Sequence, residues 1–347
     1  MADVTATQAT QQQPALILWL TERSPRHQQA AIDAAPPGTT VDVLRHADRD
    51  AILARLPDAD FLISERAGVI DAAMIRAGTK LRLIQRLGTL THDIDLDAAR
   101  AAGIPVYTLP VRGCMMVAEH MLMQVLALLK RLPAASAAAL SGDDWGRPPR
   151  RTDENTFAYN WTQRRGVGSL YGATVGIVGF GEIGAELARR LRPCHPARVL
   201  YHKRTRLPAA VEADLGIAYA TPAALFAASD ILCCLLPYSA ATDMFLNAAV
   251  FAALPAGALV VHCGSGSVID EAALAHALRT GHLGGAALDT FEWEPLRPDN
   301  PLIALARDPA MNVLLTPHTA AGTGAGRGGR ADDYVHVVRA LADGHAL

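Results

Sequence analysis

A carboxylate and an imidazole each follow a β-rich run late in the chain. Glu294 stands before Pro295 in LDTFEWEPLRPDNPL, and His318 closes the run in NVLLTPHTAAG. A carboxylate beside an imidazole fixes the ring tautomer and favours its protonated form. The ring can then give a proton to a carbonyl oxygen or take one from a hydroxyl. The ends of parallel strands are where doubly wound sheets place their ligands, so both residues are candidates for acid–base work. Trp293, between Glu292 and Glu294, reads either as a substrate wall or as a plain hydrophobic cap.

A reaction of that kind needs a partner for the proton, and ATVGIVGFGEIGAELARRLRP supplies a candidate. Gly179, Gly181 and Gly184 form G-x-G-x-x-G directly after a β-branched run and before a helix-forming one. The first glycine permits the tight turn, the second lets backbone approach a pyrophosphate, and the third lets helix and strand pack closely. The freed amides of Glu182 and Ile183 then lie at a helix N-terminus, where an anion is favoured. The pattern predicts a bound nicotinamide dinucleotide.

The next strand ends in YHKRTR. Sites selective for NAD place Asp or Glu near there to accept bonds from the adenosine ribose. This chain instead offers His202, Lys203 and Arg204, with no carboxylate between 201 and 211. A carboxylate repels a 2′-phosphate, whereas Lys and Arg bind one. The expected cofactor is therefore NADP(H) by preference, with NAD(H) possible.

The elements that must position these groups alternate. β-rich runs at 15–20, 39–44, 61–64, 81–87 and 104–109 are separated by helical segments such as 47–56 and 95–103. A long helical run at 115–132 is expected to stop at Pro133. A second, more regular series follows, with runs at 173–179, 197–202, 230–236, 257–263, 284–290 and 311–318, and a last helix falls near 330–342. The pattern predicts an α/β fold of two Rossmann-like, doubly wound parallel-sheet domains. The expected division is a disordered tail at 1–14, a flavodoxin-like substrate domain at 15–113 plus 320–347, and an NAD(P)-binding Rossmann domain at 114–319. Residues 141–169, rich in Pro, Gly, Arg and aromatics, form a surface excursion, read either as an exposed arm or as an active-site flap.

The 347 residues carry a formal net charge of −2 and are 50% apolar, which gives no electrostatic reason to expect a nucleic acid or an anionic membrane. No apolar run approaches the roughly 20 residues of a membrane span, and the first residues lack the features of a secretory signal. The five cysteines, without paired C-x-x-C spacing, suit reduced thiols and a cytoplasmic location. The 12 histidines form no H-E-x-x-H and no zinc-spaced cluster, so no metal is implied. A hydrolase elbow around Ser265 is excluded because Cys263 stands at its first glycine position. Cys263 itself reads as a reactive thiol near nicotinamide or as a packed strand-end thiol.

Taken with LRLIQRLGTLTHDIDLDAARAAGIPV, VAEHMLMQVLALLKR, GSVIDEAALAHAL, AALDTFEWEP and LLTPH, these motifs resemble the D-isomer-specific 2-hydroxyacid dehydrogenase family across about 40–345. The resemblance implies a cleft between two domains, a small-molecule substrate, a homodimer with the 115–132 helix in its contact, and His318 oriented by Glu294 as the catalytic pair. It also implies that Asp289 holds the nicotinamide carboxamide and that LPYSAAT, with Pro237 and Thr242, contacts the cofactor. Cys263, Ala320 and Ala321 border the same crevice.

Two departures bear on substrate. Ser265 occupies the position of the family's catalytic Arg, which grips the substrate carboxylate. Charge-assisted bonds are roughly twice as strong as neutral ones, so serine is a poor replacement. The family's glycine-rich carboxylate-binding loop here reads GTLTH, with Thr89 and Leu90 where backbone amides are otherwise open. Three readings follow. The enzyme acts on a carbonyl or hydroxy substrate without the usual α-carboxylate; or another cation, Arg112 or Arg66, replaces the missing one; or the chain is a catalytically silent dinucleotide-binding sensor or corepressor-like interaction protein.

Overall fold

The computed structural model describes residues 13–65, 68–322 and 330–343. Arg66 and residues 1–12 of the expected tail lie outside the described residues. The chain forms two compact units, Met1–Val111 with Gly324–Leu347, and Arg112–Thr323.

The first unit is a five-stranded parallel sheet. Its strands are β1 (Ala15–Thr21), β2 (Thr39–Arg45), β3 (Phe61–Glu65), β4 (Leu83–Leu87) and β5 (Val106–Leu109), with α1 (Pro25–Asp33), α2 (Arg49–Arg55), α3 (Ala72–Ala77) and α4 (Leu96–Ala101) between them. The strand order is β2-β1-β3-β4-β5. All of β3 and β4 is buried, as expected for strands covered on both faces.

The second unit begins with α5 (Arg112–Leu129) and α6 (Leu132–Leu140). It continues through β6 (Thr174–Val178), α7 (Glu182–Leu191), β7 (Arg198–His202), α8 (Ala209–Leu215), β8 (Ala218–Tyr219), α9 (Pro222–Ala228) and β9 (Ile231–Cys234). It closes with α10 (Ala248–Ala253), β10 (Leu259–His262), α11 (Glu271–Arg279), β11 (Gly285–Leu288), α12 (Pro301–Arg307) and β12 (Val313–Leu315). The seven strands are parallel in the order β12-β11-β10-β9-β6-β7-β8. Chain order reverses direction across β6, so the crevice at the carboxyl ends of β6 and β9 is the switch point where such sheets take ligands. The last helix, α13 (Val335–Asp343), packs in the first unit, where Val337 is buried and Tyr334 meets Trp19 edge-on at 5.2 Å.

Pro133 does not end the long helix. Helix α5 stops at Leu129, Arg131 turns left-handed at φ 49°, and Pro133 falls in the first turn of α6. Proline is tolerated there because the first-turn amides have no intrahelical acceptor. Helix α5 has the length and hydropathy of a membrane span by composition; 44% of it is buried inside the protein, against α7 and the β10–β12 side of the sheet. Residues 141–169 contain no helix or strand and are mostly exposed.

Candidate active site in the seven-stranded unit

Strand β6 ends in the glycine turn. Gly179 adopts φ 84°, and a Cβ there would lie 2.5 Å from the Leu236 backbone nitrogen, so only glycine fits. Gly181 faces open space: a Cβ on it would meet nothing within 4 Å. Helix α7 starts at Glu182 with no side chain capping it, and Ile183 and Gly184 complete its first turn. Gly184 lies against the Phe180 ring, 2.9 Å from an added Cβ. An uncapped helix start behind an open glycine is a cradle for an anion.

At the end of β7 the structure separates the cations that the sequence presents as a row. Arg206 makes a two-pronged pair with Glu212, 2.8 Å on each arm, and Tyr201 gives its hydroxyl hydrogen to the same carboxylate at 2.7 Å. Glu212 of α8 is therefore held to β7 by Tyr201 and to the turn after it by Arg206. Burial together with that carboxylate pushes the Tyr201 hydroxyl up to about 12. Lys203 is half-buried and Arg204 exposed, on the turn just past the strand. His202 anchors the turn through Nδ1 to the Ala220 carbonyl at 2.9 Å, and its own carbonyl accepts from Gly179 and Phe180.

Glu294 and His318 meet. The Nδ1–H of His318 donates to Glu294 Oε2 at 2.7 Å, while Oε1 accepts from the Phe291 amide at 3.1 Å. Two buried carboxylates hold the turns that carry them. Asp289, wholly buried, accepts from the Thr316 hydroxyl at 2.6 Å, the Thr319 amide at 3.0 Å and the Ala320 amide at 2.8 Å. His318 sits within that turn at φ 52°, a strained setting for a non-glycine residue, and its amide bonds the Asp289 carbonyl. Glu271, at the start of α11, accepts from the Glu292 amide at 3.1 Å and from Asn300, so it pins the Glu294 loop from both sides. Burial raises the Glu271 carboxyl above its ordinary range.

Asp289, expected to hold the carboxamide, has a fully buried carboxylate that takes three donors from the His318 turn. Ala320 is buried, its amide spent on Asp289, and Ala321 is exposed beside it. Cys263 also turns inward. Its thiol gives its hydrogen to Gln124 Oε1 at 3.3 Å, its amide bonds the Cys234 carbonyl, and burial near Asp289 raises the thiol well above its usual range. Of the two readings for this cysteine, the packed one describes the structure.

The second unit matches the NAD binding domain of the D-isomer specific 2-hydroxyacid dehydrogenases over residues 122–320. The chain belongs to that family. It is similar to D-3-phosphoglycerate dehydrogenase of Mycobacterium tuberculosis H37Rv, 33% identical over 292 residues, which are 84% of this chain and 51% of that protein. The chain thus spans about half the length of the curated phosphoglycerate dehydrogenases it matches. It is also similar to glyoxylate reductase of Aeropyrum pernix, 30% identical across 79% of this chain and 77% of that one. Among solved structures, the TT0316 protein of Thermus thermophilus covers 91% of this chain and 92% of its own, with a TM-score of 0.51 and 29% identity.

Ser265, at the position of the family's substrate-gripping Arg, is part of the loop framework. Its Oγ accepts from the Tyr238 amide at 2.9 Å, so it ties the β10 loop to the loop of Pro237 and Thr242. Thr242 in turn caps that loop through the Pro237 carbonyl at 2.7 Å. The flanking glycines are sterically required: a Cβ on Gly264 would lie 2.6 Å from the Leu236 carbonyl oxygen, and one on Gly266 1.8 Å from that of Phe291. Arg112 opens α5 in this unit, whereas Thr89 and the buried Leu90 follow β4 in the other. Trp293 is exposed, with the Arg297 guanidinium 5.7 Å from its ring.

His120 and Gln124, one helical turn apart on α5, join the Asp289 network although neither is an expected site residue. Both bond the Thr316 hydroxyl, at 3.1 and 3.3 Å, and His120 comes within 3.5 Å of Asp289. Two polar side chains at i and i+4 within the apolar stretch 115–129, beside Glu119, are the available signal. His262, at the end of β10, is wholly buried. Its Nε2 meets the Ser265 carbonyl at 3.1 Å, its Nδ1 has no partner, and burial pushes the ring down to about 4.

A ring held neutral in the fold, but able to take a proton near 6.5 when unfolded, opposes folding in acid. Its contribution is complete above pH 6.5 and is lost as the pH falls from 6.5 towards 4, to a limit of about 3 kcal/mol. His262→Asn should therefore reduce the loss of unfolding free energy between pH 7 and pH 5 by about 2 kcal/mol, read by urea titration at the two pH values. An unchanged difference would show that His262 does not titrate on unfolding.

Proposed function

We propose that the chain is a nicotinamide-dependent oxidoreductase, with NADP(H) preferred over NAD(H), that interconverts a carbonyl and a hydroxyl group on a small molecule. The observation that carries this reading is the 2.7 Å bond from His318 to Glu294 at the carboxyl end of the same sheet that bears the glycine cradle. A module that only binds dinucleotide has no chemical need for that pair.

The residues present fit such a cofactor. Gly181 leaves room at the cradle, the uncapped start of α7 favours its pyrophosphate, and Lys203 and Arg204 are the cations for a 2′-phosphate. When bound, the nicotinamide supplies the hydride for reduction or accepts it for oxidation. The chain's part is the proton. With Nδ1–H given to Glu294, His318 turns Nε2 towards the reactant and protonates the nascent alkoxide, or takes the hydroxyl proton in the reverse direction. The charge that passes through the ring is balanced by Glu294, itself fixed by the Phe291 amide.

The substrate is a carbonyl or hydroxy compound that is not gripped by a cation at 265, because an uncharged serine stands there, its oxygen accepting from the Tyr238 amide. The names of the similar proteins, a phosphoglycerate dehydrogenase and a glyoxylate reductase, support chemistry on a hydroxy or oxo carbon. We further propose a homodimer. Exposed Met123, Leu126, Leu132 and Leu140 on α5 and α6, with Phe157 and Tyr159 of the excursion, are the apolar surface that supports it.

Turnover of ketones, aldehydes and 2-oxo acids with NADPH and NADH tests the reading. His318→Ala should lower kcat by roughly 10²–10⁴ with the dissociation constant of the cofactor nearly unchanged. Cofactor binding without turnover on any substrate of the panel would assign the chain to a sensor role instead. Lys203→Ala combined with Arg204→Ala should raise the KM for NADPH about tenfold or more and leave that for NADH within about twofold. Equal changes for both cofactors would remove the 2′-phosphate role.

A further inference from the structure

A second cationic site lies at the other end of the sheet, away from His318. It is a cavity of about 280 Å³ lined by Arg131, Ala134, Arg164, Arg165 and residues 309–312. Asn312 immediately precedes β12, and its Nδ2 bonds the carbonyl of Gly284, just before β11. The cavity is thus at the amino ends of the two strands whose carboxyl ends lead to Asp289 and the His318 turn.

The backbone brings the three arginines together for identifiable reasons. The break between α5 and α6 puts Arg131 in the left-handed region at the head of α6, which no side chain caps. The returning end of the excursion is stitched to that break. Lys130 Nζ bonds the Gly168 carbonyl and the Gly168 amide bonds the Leu129 carbonyl, each at 2.8 Å, while Arg164 Nη1 bonds the Ala134 carbonyl at 2.7 Å. A Cβ on Gly166 would stand 3.4 Å from Arg131 Nη1, so that guanidinium lies alongside the Arg164–Arg165–Gly166 turn. Asn312 Nδ2 closes the floor on the Leu128 carbonyl at 3.0 Å.

Among the described residues no carboxylate pairs with Arg131, Arg164 or Arg165, and none lines the cavity. Asp308, just before the lined stretch, bonds the Ala310 amide. Three permanent cations in one small cavity repel each other unless an anion joins them. Guanidinium forks match oxyanions in geometry, and the start of α6 adds its dipole. A monocarboxylate brings one negative charge; a phosphate group brings about −1.5 to −2 near neutral pH and offers oxygens in several directions.

We propose that the cavity formed by Arg131, Arg164 and Arg165 binds a phosphate-type oxyanion, free or as the phosphoryl group of a small metabolite, at a site separate from the cofactor cradle. Occupancy fastens the end of the 141–169 excursion to the α5–α6 junction.

Calorimetric titration of the full chain with inorganic phosphate, against acetate at matched ionic strength, tests it. The expected result is phosphate binding that weakens about tenfold in Arg131→Gln with Arg165→Gln and persists in Lys203→Ala with Arg204→Ala. Arg165 is exposed, so Arg165→Gln alone should fold and still weaken binding several-fold. Equal heats from acetate, or phosphate affinity unchanged in both arginine variants, would overturn the proposal. A phosphomonoester such as glycerol phosphate that binds more tightly than phosphate indicates a metabolite; weaker binding indicates the free ion. Either result is read only where the arginine dependence holds.

Discussion

The wholly buried carboxylate of Asp289 is the constraint on which the rest of the site depends. A carboxylate removed from water is costly unless its lone pairs are filled. Here the Thr316 hydroxyl and the Thr319 and Ala320 amides fill them, and the only way to bring those three donors to one side chain is to curl the chain after β12 back on itself. That curl puts His318 in a left-handed conformation and presents its ring to Glu294. The same carboxylate reaches α5 through Thr316, His120 and Gln124, so the helix that covers the sheet and the turn that carries the imidazole share one hydrogen-bonded network. Glu271 does the corresponding work for the Glu294 loop.

The loop that departs from the family pattern is built just as tightly. Gly264 and Gly266 approach the Leu236 and Phe291 backbones too closely for any side chain, and Thr290 and Ser265 tie the β10 loop to its neighbours on both sides. A serine in this position ties the frame to the Tyr238 amide and brings no charge to the loop. On the proposed function the consequence falls on substrate choice, and the Glu294–His318 bond does not involve this loop's serine.

Much of this was legible in the sequence. The strands and the G-x-G-x-x-G turn are local features: alternation, β-branching, and a backbone angle that only glycine tolerates. Glu294 and His318 were legible as strand-end residues. What escaped depends on distant partners. The carboxylate that pairs with Arg206, Glu212, stands one residue past the acid-free stretch 201–211, and it turns a row of cations into two of them plus a structural clasp. The burial of Asp289 could not be read from its motif, because the motif does not say where its lone pairs point. Pro133 was ambiguous in itself, since proline both ends helices and starts them, and only the left-handed Arg131 decides between the two.

The central claim is that Glu294 acts on the reaction through His318. A double-mutant cycle tests it most directly: kcat with NADPH for Glu294→Gln, His318→Ala and the pair together. The account predicts that the double variant is no slower than His318→Ala alone, because without the imidazole the carboxylate has nothing left to orient. Losses that multiply independently would contradict it.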